Sequence, residues 1–569
     1  MNVKQETDRK VLGFVYLVLA PIHVVMLGGL AAYYSPTSDE VAHLAAGVRI
    51  LETGEVDSYL VNPPLAKFVA ALPVFAQSPE TSWKRFSDDP ADRMEWQVGQ
   101  DFIYANGPAS LWYFVLARWA CIPFSLIGLV VIFHWTSDLL GQRPGAASAT
   151  LWAFAPSILG NGALVTPDVP CASLTIAATF MFYRWLQSQS WNATFLAAAT
   201  LGLAHLTKTT CILLWPSFLL AWMCFAKPKC RSCCQFSLIV LGSVFVLNAG
   251  YGFDGTFKPL GSYSFVSRLF GGDRPHDAER GNRFSAMLGQ APVPFPEPYI
   301  VGIDLQRRDF EGGWRPMYSY MRGEQHLGGW WYYYFYAMLV KLPIGTLALL
   351  AVSLSITFTK PLDWKSVRQY GVLAIPTLTL LVTVSSQTGF SRYFRYLLPC
   401  LPFAFVVMGN CFSDGRSTWV RRLSILLVAC AAVESVCVYP NSLAFFNISV
   451  GGPMKGHHHL LDSNVDWGQD LYRIKAWLEE HENHRPACLA YSGVVDPRVM
   501  DIRLDPIPRE KGGVAPDLLP GYYIVSVNHI HGYDSPQDGW GYFLDLPVYE
   551  RISPSIFVYH IETSSVPSE

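Results

Sequence analysis

A carboxylate and an imidazole stand four residues apart in Ser38-Asp39-Glu40-Val41-Ala42-His43, directly after the first long apolar run of the chain. On a helix, positions i and i+4 share a face, so Asp39 and His43 would sit together at the mouth of an apolar bundle. That pairing suits general base catalysis, with the carboxylate taking a proton and its partner tuning the pKa. Adjacent acids at a membrane boundary are costly unless hydrated, paired or functional. The same residues also read as a helix start, Ser38 or Asp39 capping the first turn with Glu40 behind. Residue types alone leave both readings open.

A second acid, Asp168, follows another apolar run in Thr166-Pro167-Asp168. Pro-Asp is ordinary turn chemistry, yet the turn puts Asp168 on the same side of the membrane as Asp39. Cations accompany the acids. Lys67 follows the rigid turn Asn62-Pro63-Pro64, Arg118 lies inside an apolar run, Lys208 sits in HLTKTT, Lys341 in VKLPIG, and Arg392 and Arg395 flank aromatics in SRYFRY. Arg118 and Lys341 lie nearer the apolar interior, and the others fall at the boundary. Acids and cations on one face suit a phosphate-linked sugar, because the cations stabilise the departing phosphate and an acid takes the acceptor's proton. Each cation taken singly also reads as an anchor to lipid head groups, and Lys67 as a snorkelling lysine beside the interfacial segment Phe68 to Phe75.

Residues 451–471, GGPMKGHHHLLDSNVDWGQDL, are the densest polar stretch. Three consecutive histidines, His457, His458 and His459, do not converge on one metal in a regular helix or strand, so they are read as non-metal. Asp462, Asn464, Asp466 and Asp470 could bind a sugar, bind a cation or build a turn. The twelve cysteines sit mostly inside apolar runs and carry no disulfide pattern. Cys230, Cys233 and Cys234, beside Lys227, Lys229 and Arg231, read as an ordinary membrane-edge cluster.

These groups need a scaffold, and the composition says which. Of 569 residues 51% are hydrophobic and only 15% charged, against about 25% charged in soluble domains. The shortfall is concentrated in runs near the ~20 residues that cross a bilayer. Eleven are expected, at 11–34, 111–136, 146–165, 169–187, 193–207, 209–226, 235–252, 331–357, 370–387, 396–412 and 419–438. The first reads as a retained span rather than a cleaved leader. The basic residues of the short connections (Lys4, Arg9 and Lys10; Arg143; Lys227, Lys229 and Arg231; Lys360, Lys365 and Arg368; Arg416, Arg421 and Arg422) then all fall on one side, which the positive-inside rule makes cytoplasmic. Residues 35–110, 253–330 and 440–569 consequently face out. The expected division is a membrane domain, 1–439, and an extracytoplasmic α/β domain, 440–569, with a helix from Asp470 to His481 and strands at ACLAYSG, GYYIVSV and SIFVYHIE. A net charge of -2 argues against nucleic acid.

Asp-Glu-x-x-His after the first span, followed by Pro-Pro-Leu-Ala-Lys, resembles the protein O-mannosyltransferase and aminoarabinose-transferase superfamily of GT-C membrane glycosyltransferases. The Thr-Pro-Asp turn, the Leu-Thr-Lys stretch and the Arg-Tyr segment look similar too, over roughly residues 10–440. Ser463 to Asp470 resembles a bacterial branch of it. The resemblance implies a GT-C-like α-helical polytopic fold of about eleven helices with the small α/β tail. It implies Asp39 as catalytic base, with Glu40 and Asp168 as further catalytic acids. His43, Lys67, Arg118, Lys208, Lys341, Arg392 and Arg395 are expected to bind substrate, Lys208 and Arg392 through phosphate. No MIR-type insert is found in a later loop, so the acceptor stays between protein and glycolipid or polysaccharide.

The expected activity is inverting transfer of a sugar, a hexose such as mannose, from a polyprenyl-phosphate carrier to a hydroxyl at the outer face of a bacterial inner membrane. The partners are that donor, the acceptor and membrane lipids. No nucleotide is needed, because the lipid carrier already delivers an activated sugar; no cofactor is assigned, and a divalent metal is allowed because related enzymes differ on it. The rival readings are a lipid or sugar transporter or flippase, and a glycan-binding scaffold. A transporter predicts mid-membrane acids and repeat symmetry, and the sequence offers neither.

Overall fold

The structure is a computed structural model that describes residues 3–226, 229–272, 280–311, 317–359, 361, 363–386, 390–510, 514–533 and 539–562. Lys227 and Lys360, two of the orienting basic residues, and parts of the second loop lie outside them, as does the Lys4 side chain.

Each of the eleven apolar runs falls on helix. The first is α1 (Glu6–Tyr33). The connection after it folds as α2 (Ser38–Thr53), α3 (Leu65–Phe75) and α4 (Glu95–Asn106). The bundle continues through α5 (Ala109–Leu140), α6 (Gln142–Ala153), α7 (Pro156–Gly162), α8 (Asp168–Ser188), α9 (Trp191–His205), α10 (Leu214–Phe225) and α11 (Cys230–Gly250). The second loop contributes α12 (Glu297–Asp309) and a hairpin, β1 (Tyr318–Met321) with β2 (Glu324–Leu327). Then come α13 (Tyr333–Lys341), α14 (Ile344–Phe358), α15 (Trp364–Ser385), α16 (Leu401–Met408), flanked by 3-10 turns, and α17 (Thr418–Val438).

Among the described residues, five helical stretches are by themselves long and apolar enough to cross a membrane. The run at 331–357 is not one straight span: α13 and α14 meet at 117°, because Pro343 cannot continue the hydrogen-bond ladder and Leu342 is extended. Taken as one broken span, that pair makes six. The run at 146–165 is also broken, ahead of Pro156. The remaining runs are shorter or more polar.

The tail packs α18 (Leu471–Glu480) with a five-stranded sheet, β3 (Ala487–Ala490), β4 (Asp505–Pro506), β5 (Gly521–Ser526), β6 (Glu550–Arg551) and β7 (Ile556–Ile561), in the order β4-β3-β5-β7-β6. The predicted helix and three strands are there. β4 and β6 are two-residue edges, too short for a sequence pattern. β3 pairs in parallel with β4 and β5, and β7 antiparallel with β5 and β6.

The join between α1, α2 and α5 rests on one ion pair. Arg118 of α5 and Glu40 of α2 are both fully buried, with contacts of 2.8 Å from Nε to Oε1 and 2.6 Å from Nη2 to Oε2. Arg118 also donates to the carbonyls of Ala31, Tyr34 and Ser35, the unpaired end of α1. Glu40 accepts from the Thr37 amide and hydroxyl and from the Val165 amide. Thr37 is therefore the residue that caps α2, rather than Ser38 or Asp39. Two glycines allow the layers around α2 to close: a Cβ at Gly47 would run into the Lys67 carbonyl, and one at Gly99 into that of Val41.

Removing one partner of a buried pair costs about 3–5 kcal/mol, because the other charge is left unpaired. Arg118→Met is expected to lower the thermal midpoint of the detergent-purified protein by a loss of that order, and Glu40→Gln in the same chain to restore part of it. An equal loss in the single and double variants would contradict the ion-pair account.

Candidate active site

At the bundle end that carries the tail, the chain leaves a cavity of about 470 Å³. Asp39 reaches it from the first turn of α2, where the helix dipole favours an acid. Asp168 enters from the first residue of α8, Lys208 from the turn after α9, and Arg392 and Arg395 from the segment before α16.

The charges form a chain. Asp39 Oδ2 lies 3.0 Å from Arg395 Nη2. Arg395 Nε lies 3.8 Å from Asp168 Oδ2, and Asp168 Oδ1 lies 2.5 Å from Lys208 Nζ. Arg395 thus bridges the two acids, and among the described residues its Nη1 is buried without a hydrogen-bond partner. Aromatic faces line the cations. Arg395 lies over Trp467 at 3.8 Å and Tyr393 at 4.2 Å, and Lys208 over Tyr396 at 4.7 Å. Burial raises the Asp39 carboxyl above its ordinary value; Arg395 pulls it down and Asp168 adds to the rise. Burial, with the Lys67, Arg395 and Lys208 charges, holds His43 well below the usual imidazole range, so it lines the cavity as a neutral ring against Tyr59, 4.6 Å between centroids. The ion partner of Asp39 is Arg395, not His43.

Asp39, His43, Asp168, Lys208, Arg392 and Arg395 of the expected set therefore meet at one cavity. Glu40, Lys67, Arg118 and Lys341 do not line it. Glu40 and Arg118 consume each other beneath it. Lys67 turns inward to the Ser58 and Tyr59 carbonyls, at 2.9 and 3.1 Å, rather than snorkelling to lipid. Lys341, at the break between α13 and α14, donates to the Leu443 and Asn464 carbonyls, at 3.2 and 2.7 Å. Each of these cations satisfies backbone oxygens that no helix could.

Sequence reading passed over Tyr59, Trp96, Tyr393 and Tyr396, which line the cavity, and the Arg93–Asp309 pair at 2.6 Å in its wall. Arg93 and Asp309 lie in different loops with no local motif, whereas Tyr393 and Tyr396 stood inside the recognised SRYFRY. A divalent ion shared by Asp39 and Asp168 would have to displace Arg395, so the positive charge at this site is already supplied by side chains.

The strip 464–469 holds both halves of the Asp39–Arg395 pair. On one side the Ser38 amide donates to the Trp467 carbonyl at 3.1 Å and the Ser35 amide to that of Gln469 at 3.0 Å. On the other, Asn464 donates to the Arg392 carbonyl at 2.6 Å and accepts from the Phe394 amide at 3.1 Å. Asp466 ties the strip to the tail sheet, accepting from the Gly468 amide at 2.9 Å and from the Ser526 hydroxyl. The four polar residues in question thus build structure: Asp470 accepts from the Ser555 hydroxyl, and Asp462 from the Tyr533 hydroxyl.

Residues 114–249, which hold Arg118, Asp168 and Lys208, match the family model described as dolichyl-phosphate-mannose-protein mannosyltransferase. No curated protein matches the chain. Among solved structures, ArnT from Cupriavidus metallidurans in the apo state is similar at 12% identity and a TM-score of 0.47, over 95% of this chain and 97% of that one. The same protein bound to undecaprenyl phosphate aligns at 10% identity and a TM-score of 0.47, over the same shares. The apo oligosaccharyltransferase of Archaeoglobus fulgidus aligns at 11% identity and a TM-score of 0.43, over 83% of this chain and 58% of that one.

Burial pushes the Asp466 carboxyl up to about 7, above the ~3.9 of an unfolded aspartate. The folded chain holds that proton more tightly, so the contribution to stability is fully present below about pH 4 and is lost as pH rises through the folded value. Asp466→Asn keeps an oxygen for the Gly468 amide and cannot ionise. It is expected to melt higher than wild type at alkaline pH, with the gap closing as pH falls toward ~4. A gap independent of pH would contradict the assignment.

Proposed function

We propose that this chain is a membrane glycosyltransferase of the GT-C superfamily that moves a sugar, a hexose such as mannose, from a polyprenyl monophosphate carrier to a hydroxyl acceptor with inversion. The observation that carries the reading is the alternating chain Asp39–Arg395–Asp168–Lys208 along one cavity wall, with an unpartnered Arg395 nitrogen beside it. A phosphate needs the cations, and an acceptor hydroxyl needs the outermost acid.

The donor phosphate would compete with Asp39 for Arg395 and take up Nη1. Losing its counter-charge makes Asp39 a stronger base, ready when donor is bound. Asp39 takes the acceptor proton as the acceptor oxygen bonds to the anomeric carbon. The bond from that carbon to the phosphate oxygen breaks, and the polyprenyl phosphate leaves with the electron pair, held by Arg395 and Lys208. A narrow apolar crevice bordered by Cys171, Thr210, Cys211, Leu214, Leu380 and Phe403 lies along α8 and α10, within a turn of Asp168 and Lys208. It supports a lipid chain approaching from the bundle side. Thr7, Asp8 and Arg143 border a separate pocket at the start of α1 and the end of α5, whereas Asp39 follows the other end of α1, which supports an extracytoplasmic cavity by the positive-inside rule. Acids at helix ends rather than mid-span also speak against a transporter.

Purified protein given radiolabelled polyprenyl-phosphate-mannose and a membrane extract as acceptor source is expected to transfer label. Asp39→Asn should lower the rate about 10²–10⁴-fold, the usual contribution of a general base. Because Asp39 must be ionised to act and its pKa is raised, kcat/KM should fall on the acid side at a pH above that of an ordinary aspartate. Transfer that Asp39→Asn leaves intact, or no transfer from any phosphosugar lipid, would sink the reading.

A further inference from the structure

We propose that His457, His458 and His531 form a binding site for a transition-metal ion of zinc type, which staples two segments of the tail together beside the β1–β2 hairpin. The site lies outside the cavity and does not depend on the transfer reading. One ligand atom from each of the three histidines lies within 4.8 Å of the others. The consecutive triple is not itself the site, because His459 turns away to the Tyr336 hydroxyl at 2.5 Å. The other two are the last two residues of the 3-10 turn Pro453–His458, with rings 4.0 Å apart. The third comes from across the tail, following the short helix Val527–Ile530 that leaves β5.

His457 Nδ1 and His531 Nε2 face each other at 2.9 Å. A tetrahedral zinc with bonds of about 2.0–2.1 Å separates its nitrogens by ~3.4 Å, so the two rings need to part by about half an ångström. The surroundings set the tautomer. Tyr320 donates its hydroxyl proton to the His457 carbonyl at 3.1 Å and stands 3.5 Å from His531 Nδ1. With Nδ1 as the donor to Tyr320, the Nε2 lone pair of His531 points at His457 Nδ1, and a metal between the two would replace the proton they share. Among the described residues His457 Nε2 is buried without a hydrogen-bond partner, and it carries the ring proton when Nδ1 binds the metal.

The chemistry of the donors selects the ion. Three imidazoles offer no carboxylate, and the Arg551 and Lys455 charges nearby oppose a cation held by charge alone. That disfavours calcium and magnesium and favours zinc, copper or nickel. His458 is the exposed member, which leaves the fourth position for water. The consequence reaches the cavity through the hairpin. Gln325 donates to the His531 carbonyl at 2.6 Å, and the Tyr318 carbonyl on the opposite strand accepts from Arg392 at 2.7 Å.

Full-length protein, purified in detergent and stripped with a chelator, would be titrated with Co²⁺ and read by its visible d–d absorption. One equivalent should bind with the intensity of a tetrahedral site and be displaced by Zn²⁺. His531→Ala and His458→Ala should each weaken binding about tenfold or more; the exposed His458 makes its variant the safer for folding. His459→Ala should bind as wild type. Zn²⁺ should raise the thermal midpoint of wild type and not of His531→Ala. No saturable binding, or binding unchanged in both His531→Ala and His458→Ala, overturns the proposal.

Discussion

The buried contact between Glu40 and Arg118 fixes where the two acids of the cavity stand. Two opposite charges with no exposed surface are tolerated because every polar atom of the pair is used. Arg118 spends three donors on the frayed end of α1, and Glu40 returns to its own helix start and to Val165. The neighbours of these contacts are the acids that line the cavity. Asp39 precedes Glu40, and Asp168 follows Val165 by a Thr-Pro turn. One carboxylate therefore sets both loops, and two acids far apart in sequence meet the same guanidinium.

Above that base the cavity is electrostatically balanced rather than simply positive. Each acid has a cation, and Arg395 serves two acids at unequal distances. Such a chain is stable when empty and can be rearranged by an anion. Aromatic faces behind Arg395 and Lys208 keep those cations in place without consuming their hydrogen-bond donors. The strip 464–469 adds a second constraint from the tail, since it bonds to the start of α2 and to the Arg392–Phe394 backbone at once. The tail sheet, through Asp466 and Ser526, is thereby coupled to the geometry of the ion pairs.

Much of this was legible from residue type and place. Acids and cations at the ends of apolar runs converge because the runs alternate in direction, which is why Asp39, Asp168, Lys208 and Arg395 meet. Charges inside the runs were harder. A lone Arg118 or Lys341 announces that a partner must exist, but not whether it is a ligand or a backbone carbonyl, and in both cases carbonyls are involved. Glu40 beside Asp39 looked equivalent to it, yet adjacent helix positions point about 100° apart, so one faces the cavity and the other the core. The break at Pro343 hid within a continuous apolar run, because hydropathy does not register a missing amide. The histidines show the converse. The spacing of the triple gives no convergence, and the long return of the chain to His531 brings three imidazoles to one point.

The account stands or falls on where the lipid phosphate sits. An experimental structure of the protein with a bound polyprenyl monophosphate tests this directly. The account predicts the phosphate oxygens within hydrogen-bond distance of Arg395 Nη1 and Lys208 Nζ, with the Asp39–Arg395 contact opened from its 3.0 Å. A phosphate bound elsewhere, with that contact unchanged, would contradict it.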